Sequence, residues 1–299
     1  MKASHFQGFS RLLFVFCACA QLSAAQFTKR SDIEFARVGE RSLKLDLYIP
    51  TQKQRIPLIV WVHGGAWRSG TKSEMPLLDL VQEGWPAASV EYRLSPEAQF
   101  PAQIHDIKAA IRFLRKEAKK HGVDAGSVLI AGASAGAHLA ALVGVTNGHK
   151  ELEGEVGEND GEDSSVQGII SFYGAANLTT ILSQSTPHGL NVRVPALKLL
   201  LGAEPTEVSG AARLASPVFH VDKNDPPLLL IHGDQDPQMP INQSHELEGA
   251  YRSANCTVRF EVVHGAGHGG KQFYDEERLA IVKKFLTENL PAPSNRRSD

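Results

Sequence analysis

The stretch that decides the fold is Ser127–Leu142, SVLIAGASAGAHLAAL. Its beginning, Val128–Ala131, is a short apolar run suited to a buried strand, and the residues after Ser134 favour a helix. Between the two lies G-x-S-x-G at Gly132–Gly136, in the strand-to-helix context of a nucleophile elbow. Small neighbours are expected because a serine at so sharp a turn brings strand and helix close together. A plain glycine-rich turn or a phosphate cradle is the alternative interpretation.

Further apolar runs lie on both sides of this stretch. They are Pro57–Val62, Ala87–Tyr92, Gly168–Tyr173, Pro227–Ile231 and Val258–Val263. Their continuity predicts central strands covered on both faces, whereas Leu43–Ile49 alternates with polar residues and predicts a half-buried edge strand. Helical patterns occupy Gln103–Lys120, Ala135–Val145, Asn242–Ser253 and Asp275–Leu290. The alternation predicts an α/β fold, a mostly parallel sheet flanked by helices, with ligands at the carboxyl ends of the strands.

The composition is that of a packed globular protein. Hydrophobic residues make up 42% and charged residues 21% of the 299 residues. With a formal net charge of −2, the chain has no strong electrostatic attraction to nucleic acid or to an acidic membrane surface. We therefore expect a small-molecule partner and no nucleic acid, while the oligomeric state cannot be read from the sequence.

The first 25 residues predict a secretory signal peptide. Lys2 and Arg11 precede the apolar run Leu12–Ala20, and a small-x-small pattern follows at 23–25. The run is too short to span a bilayer, which needs about 20 apolar residues. We expect a secreted or periplasmic protein with one catalytic domain at 26–299. Residues 175–224 form a longer connection than a simple crossover and are expected to build a small cap over the site.

A glycine turn, HGGAW at 63–67, directly follows a predicted buried strand. Backbone N–H groups in such a turn can stabilise the oxyanion of a tetrahedral intermediate without reorganisation. The expected donors are Gly65, Ala66 and, after the candidate nucleophile, Ala135, with Gly64 supplying the turn. Trp67 is expected to contact the substrate. A plain strand-to-helix turn is the alternative.

A nucleophilic serine needs a base, and the base needs an acid to orient it. Ser134, Asp236 and His268 follow three different predicted strands, so their side chains can converge at one edge of the sheet. Asp234 is the alternative acid, but it follows its strand almost immediately and is expected to brace the turn. His264 is the alternative base, but it too lies closer to its strand than His268 does.

The spacing of His264 and His268 also matches a zinc pair, but only on a helix, and the glycines between and after them disfavour one. No metal and no cofactor are predicted.

With these motifs in place, the chain resembles the α/β-hydrolase superfamily, in the esterase and lipase group that includes hormone-sensitive-lipase-like and BD-FAE-like enzymes. The segments that carry the resemblance cover most of residues 35–290 and are HGGAW, EYRLSPEAQFPAQIHDIKAAIRFLR, GASAGAHLAAL, SPVFHV, HGDQDPQMP and GAGHGG. The resemblance implies an α/β-hydrolase fold, with Ser134 as nucleophile, His268 as general base and acid, and Asp236 as its partner. It also implies that Arg93 and Asp106 brace the loops around the site, although a surface ion pair is equally compatible.

The function implied is hydrolysis of small acyl or aryl esters through an acyl-enzyme intermediate. Acetyl or feruloyl esters of carbohydrates are one substrate class that the resemblance suggests. Two alternatives stay open. One is a peptidase or amidase with the same fold, and the other is a binding protein that has lost the chemistry.

Overall fold

The computed structural model describes residues 26–52, 54–55, 57–159 and 161–289. The predicted signal peptide at 1–25 lies outside the described residues, so export stays a prediction.

A mostly parallel sheet forms the centre of the described chain, which confirms the predicted α/β class. Its eight strands are β1 (Phe27–Val38), β2 (Arg41–Pro50), β3 (Leu58–Val62), β4 (Ala87–Val90), β5 (Val128–Ala133), β6 (Gly168–Phe172), β7 (Leu228–Gly233) and β8 (Val258–Val263). They lie in the order β1-β2-β4-β3-β5-β6-β7-β8. β1 and β2 pair antiparallel, as do β2 and β4, and the remaining pairs are parallel.

The edge-strand prediction for Leu43–Ile49 was wrong. That segment belongs to β2, which lies between β1 and β4, and the edge is formed by β1. Leu43, Leu45 and Leu47 are fully buried, because their face of the sheet is covered. β1 carries many charged, exposed side chains and two register shifts, so it lacks the regular alternation that reveals a strand in a sequence.

Helices cover both faces of the sheet. The helices are α1 (Leu78–Gln82), α2 (Ala102–Glu117), α3 (Ala135–Gly144), α4 (Lys150–Glu153), α5 (Ile181–Gln184), α6 (Pro187–Leu201), α7 (Ser209–Leu214), α8 (Asn242–Ser253) and α9 (Glu276–Asn289). On β3, Leu58 and Val60 join the cluster that contains the apolar residues of α2 and α3, whereas Ile59 and Trp61 join the cluster with α1 and α9. This two-sided burial explains the continuous apolar runs of the central strands.

The segment 175–224, predicted as a cap, contains α5, α6, α7 and a short 3-10 turn at Pro217–Phe219. Leu197 and Leu200 of α6 pack into the cluster shared with α2 and α3. In the part of the chain that the structure describes, every helix is too short or too polar to traverse a lipid bilayer.

Parallel pairing brings four loops to the same edge of the sheet. Val62 of β3 lies beside Gly132 of β5, and Gly233 of β7 lies beside Val263 of β8. The loops that follow these four strands therefore lie on one side of the sheet, at the carboxyl ends of the strands, where ligands of such sheets bind.

Candidate active site

Ser134 occupies a sharp turn between β5 and α3. Its φ of 54° and ψ of −117° place a non-glycine residue in the left-handed half of the map. Such a conformation costs about 1–3 kcal/mol and persists only where its surroundings fix it. Here the N–H of Ser134 donates to the carbonyl of Phe172 at 2.9 Å, and the N–H of His138 donates to the carbonyl of Ser134 at 3.0 Å. The serine is thus held at the sheet edge directly before the helix.

The glycines on either side of this serine leave no space for a side chain. A Cβ on Gly136 would lie 2.1 Å from the carbonyl oxygen of Val62, and one on Gly132 would lie 2.4 Å from the carbonyl oxygen of Gly136. Helix α3 can therefore start against β3 and β5 only if both positions are glycine. The small residues of G-x-S-x-G are required by this close approach of backbone segments.

A hydrogen-bonded row runs from Ser134 through His268 to Asp236. Nε2 of His268 lies 2.9 Å from Oγ of Ser134, and Nδ1 of His268 lies 2.6 Å from Oδ2 of Asp236. The other oxygen, Oδ1, accepts from the N–H groups of Gln238 and Met239, each at 2.8 Å. The structure therefore brings together the three residues that the sequence predicted would converge.

The electrostatics of Asp236 fix the roles of the imidazole nitrogens. Burial raises the pKa of Asp236, but His232, His268 and the N–H of Met239 more than offset this and hold that pKa well below its ordinary value. The carboxylate is ionised at neutral pH and can only accept. Nδ1 of His268 is then the donor to Asp236, and Nε2 is left to accept from the hydroxyl of Ser134.

The alternative acid and base pair with each other instead. Nδ1 of His264 lies 2.8 Å from Oδ2 of Asp234, and Oδ1 of Asp234 accepts from the N–H of Gly265 at 2.8 Å. Among the described residues, neither His264 nor Asp234 contacts Ser134. The sequence predicts that Asp234 braces the turn after its own strand, β7, but its contacts with His264 and Gly265 connect that turn to the one after β8.

The loop after β3 passes directly over the serine. A Cβ on Gly64 would lie 3.5 Å from Cβ of Ser134, and Gly65 and Ala66 adopt φ values of 107° and 53°. Within the described residues, the N–H groups of Gly65, Ala66 and Ala135 donate to no protein acceptor. They are the three groups predicted to stabilise an oxyanion.

Two aromatic rings, those of His63 and Tyr92, pack together and stabilise the loop after β3. The ring of His63 stacks on Tyr92 at 4.5 Å between centroids, and the hydroxyl of Tyr92 donates to the carbonyl of His63 at 3.1 Å. Arg93 and Asp106 also form a two-pronged ion pair, with Nη2 to Oδ1 at 2.7 Å, and the carboxylate is fully buried. Arg93 directly follows Tyr92 in the chain, so this ion pair is an internal brace for the loop and not a surface ion pair.

Trp67 corrects one prediction, because it does not reach the site. Its φ of 60° turns the side chain into the core, where it is fully buried. Its Nε1 donates to Nδ1 of His138 at 3.1 Å, and Nε2 of His138 lies 2.6 Å from the carbonyl oxygen of Ala215. Burial lowers the pKa of His138 to about 4, so the ring is neutral and can accept from Trp67. Trp67 fastens the loop to α3 and contacts no substrate cavity.

A cavity of about 600 Å³ opens beside the serine. Besides the predicted residues, its wall includes Trp61, Arg68, Glu74, Tyr173, Arg193, Gln238 and Tyr274. The hydroxyls of Tyr173 and Tyr274 lie 2.9 Å apart, and the ring of Tyr173 meets His268 edge-on at 4.9 Å. Except for Gln238, which lies in HGDQDPQMP, these residues belong to none of the segments that carry the resemblance. The sequence contains one signal for Arg193, which is a cation placed directly between two valines, Val192 and Val194, in α6.

The family of the chain follows from a comparison with known families. Residues 45–251 match the model of the family described as BD-FAE. The chain belongs to the BD-FAE family. Among curated relatives, this BD-FAE member is 32% identical to esterase LipC of Mycobacterium tuberculosis over 217 residues, 71% of the chain and 53% of the relative. It is 27% identical to isoprenylcysteine alpha-carbonyl methylesterase ICME of Arabidopsis thaliana, over 85% of the chain and 63% of that protein.

Solved structures of esterases share the fold of this chain. The BD-FAE member superposes on a structure described as a truncated form of carbohydrate esterase from gut microbiota with a TM-score of 0.78 and 31% identity, over 88% of the chain and 97% of that structure. An esterase from Thermogutta terrifontis gives a TM-score of 0.70 at 23% identity, over 88% of the chain and 94% of that structure, which shows the fold alone. The predicted α/β-hydrolase fold is confirmed. The chain spans about half the length of the first mycobacterial relatives it matches.

Proposed function

We propose that this BD-FAE member is a serine carboxylic-ester hydrolase that works through an acyl-enzyme intermediate. The observation that carries the proposal is the row formed by Ser134, His268 and Asp236, with hydrogen bonds of 2.9 and 2.6 Å. Family membership and relatives named esterases support the class of reaction.

In the first half of the reaction, Nε2 of His268 takes the proton of Ser134 as Oγ forms a bond to the ester carbonyl carbon. The carbonyl oxygen becomes an oxyanion, and the free N–H groups of Gly65, Ala66 and Ala135 stabilise it. When the tetrahedral intermediate collapses, the bond to the alcohol oxygen breaks, and His268 returns its proton to the departing alcohol.

In the second half, water replaces the alcohol. His268 removes a proton from the water as the water oxygen attacks the acyl carbon. The bond between that carbon and Oγ of Ser134 then breaks, and His268 gives the proton to Oγ. The serine regains its proton and the carboxylic acid leaves. Throughout, the ionised Asp236 stabilises the imidazolium form of His268 and keeps its ring in place.

We propose small acyl or aryl esters as substrates, including acetyl or feruloyl esters of carbohydrates. The cavity volume of about 600 Å³ fits a small ester, and the likeness to a gut carbohydrate esterase at 31% identity supports the carbohydrate class. A screen of acetylated sugars, feruloyl esters and 4-nitrophenyl esters of graded acyl length, with matching amides, tests both the class and the bond cleaved. Amide turnover that exceeds ester turnover would favour a peptidase or amidase.

The direct test is Ser134→Ala. Removing the nucleophile should lower kcat for 4-nitrophenyl acetate by about 10⁴-fold or more, because no acyl-enzyme can form. Ser253→Ala, which removes an exposed hydroxyl on α8, is the matched control and should keep wild-type turnover. Circular dichroism should show the same fold in both variants. Full activity in Ser134→Ala would refute the proposal.

We also propose export of the protein, with residues 1–25 removed. Intact mass of the protein recovered from a secreting host should match a chain that starts near residue 26. A retained first segment would refute this part of the proposal.

A further inference from the structure

One side chain in the cavity wall is a buried cation without a counter-ion. Arg193 is 1% exposed, and its Nε donates to the carbonyl of Gln238 at 3.2 Å. Its Nη1 is enclosed and has no hydrogen-bond partner among the described residues, and no carboxylate of these residues lies within ion-pair distance of the guanidinium. A buried charge without a partner is strongly destabilising, so this arrangement favours binding of an anion that the protein itself does not supply.

The charge on Arg193 persists at neutral pH. Burial lowers the pKa of Arg193 to about 10, the charge of Asp236 acts in the opposite direction, and Arg68 lowers it further. Asp236 is not the missing partner, because its two oxygens are engaged by His268 and by two backbone N–H groups.

A second guanidinium lies in the wall of the same cavity. Arg68 belongs to the loop that carries the candidate oxyanion donors, is exposed, and forms no side-chain hydrogen bond or ion pair with the described residues. Glu74 also lines the cavity, but among the described residues its carboxylate forms no ion pair with Arg193 or Arg68. Arg193 and Arg68 thus come from two different elements and leave the cavity with two unpaired cations near Ser134.

We propose that Arg193 and Arg68 form an anion subsite, and that the natural substrate carries a carboxylate a few atoms from its scissile ester. A guanidinium is planar and offers paired N–H donors that match the two oxygens of a carboxylate. The subsite lies in the wall of the cavity that contains Ser134, so the carboxylate and the ester belong to one small molecule. This inference rests on the proposed ester hydrolysis and adds the charge of the substrate to it.

The experiment compares anionic esters with neutral ones of similar shape. On the acyl side the pair is 4-nitrophenyl hemiglutarate and 4-nitrophenyl butyrate, and on the alcohol side it is 3-acetoxybenzoate and 3-acetoxybenzamide. For each pair, the ratio of kcat/KM for the anionic ester to that for the neutral ester is measured in the wild type and the variants. The pair in which the wild type prefers the anion identifies which part of the substrate carries the carboxylate.

Arg193→Gln and Arg68→Gln should each lower this ratio by about tenfold or more, since a hydrogen bond to a charged group is lost. Arg193→Lys should recover part of the ratio. Lys198→Gln removes a cation from the same helix, α6, where Lys198 is exposed and paired with Glu204, and is the matched control that should keep the wild-type ratio. Because Arg68 is exposed, its variant tests the subsite even where Arg193→Gln does not fold.

A ratio that shows no anionic preference in either pair would overturn the inference. So would variants that slow anionic and neutral esters equally, since Arg193 would then only support the loop at Gln238. In both outcomes turnover of the neutral esters leaves the proposed function standing. Absence of turnover of every ester by the wild type would overturn the proposed function and this inference together.

Discussion

Two histidine–aspartate pairs lie on the same two loops and make the same kind of contact, but they differ in burial and in what their imidazoles reach. The pair of His268 and Asp236 has side chains that are 12% and 0% exposed, and its imidazole reaches Ser134. The pair of His264 and Asp234 is 84% and 30% exposed and reaches only the turn that contains it. Both pairs have short contacts, of 2.6 and 2.8 Å.

A short contact between these residue types does not by itself make a catalytic pair. An exposed ion pair exchanges its partners with water and contributes little, whereas a buried one keeps a fixed geometry and a strong local field. Asp236 lies two residues further along the chain from β7 than Asp234 does, and His268 lies four residues further from β8 than His264 does. This added length places the buried pair beside the serine.

The largest expected effect is on turnover. His268→Gln should lower kcat for 4-nitrophenyl acetate by about 10⁴-fold or more, because the proton of the serine has no acceptor. His264→Gln, the matched change in the exposed pair, should leave kcat within about twofold, as expected of a surface substitution. Steady-state kinetics decide, and equal losses in both variants would remove the distinction between the pairs.

A second expected effect is on stability, and it contrasts the turn that carries the serine with the loop that carries the histidine. Gly136→Ala places a Cβ 2.1 Å from a backbone oxygen of β3 and should cost about 3 kcal/mol or more in the free energy of unfolding. Gly267→Ala meets nothing closer than 3.9 Å and should change it by about 0.5 kcal/mol or less. Denaturant unfolding of both variants measures this. A well-folded Gly136→Ala of wild-type stability would contradict the reason given for the small residues of the elbow.

The smallest expected effect is on the pH dependence of stability. The pKa of Asp236 is held below its ordinary value of about 3.9, so its ionised form stabilises the folded state above that pH. As pH falls below about 4 toward the folded pKa, the wild type should lose this contribution, at about 1.4 kcal/mol for each unit of pKa depression. Asp236→Asn has no carboxyl group to titrate and should not show that loss.

Asp234→Asn is the control for this measurement. The pKa of Asp234 is also lowered, by His264 and the N–H of Gly265, but the group is solvated. Its contribution has the same sign, is smaller, and should vanish at high salt. The free energy of unfolding, measured between pH 3 and pH 7, separates the two aspartates. A larger pH effect from Asp234 than from Asp236 would contradict the contrast in burial.

Much of this architecture could be predicted from the sequence because its signals are local. The central parallel strands are buried on both faces, so each is a continuous apolar run, as in Leu58–Val62. Ser134, Asp236 and His268 each follow such a strand, and parallel strands bring their ends to one edge. The proximity of these three residues can therefore be predicted from the three short strand patterns that precede them.

The rest depends on direction and tertiary contact, which short patterns do not contain. β1 is an exposed, twice-shifted edge strand, so it has no clean alternation. The sequence predicts that Trp67 contacts the substrate, but a left-handed φ turns its ring into the core toward His138. Arg193 belongs to no motif, and only the fold shows that the helix carrying it lies against the cavity.

Labelling with a fluorophosphonate directly tests the claim that the buried pair, His268 and Asp236, activates Ser134. We predict a mass increase of one adduct per chain, located on the peptide that contains Ser134, with labelling that slows strongly in His268→Gln and is unchanged in His264→Gln. Absence of an adduct, or an adduct on another residue, would contradict the claim.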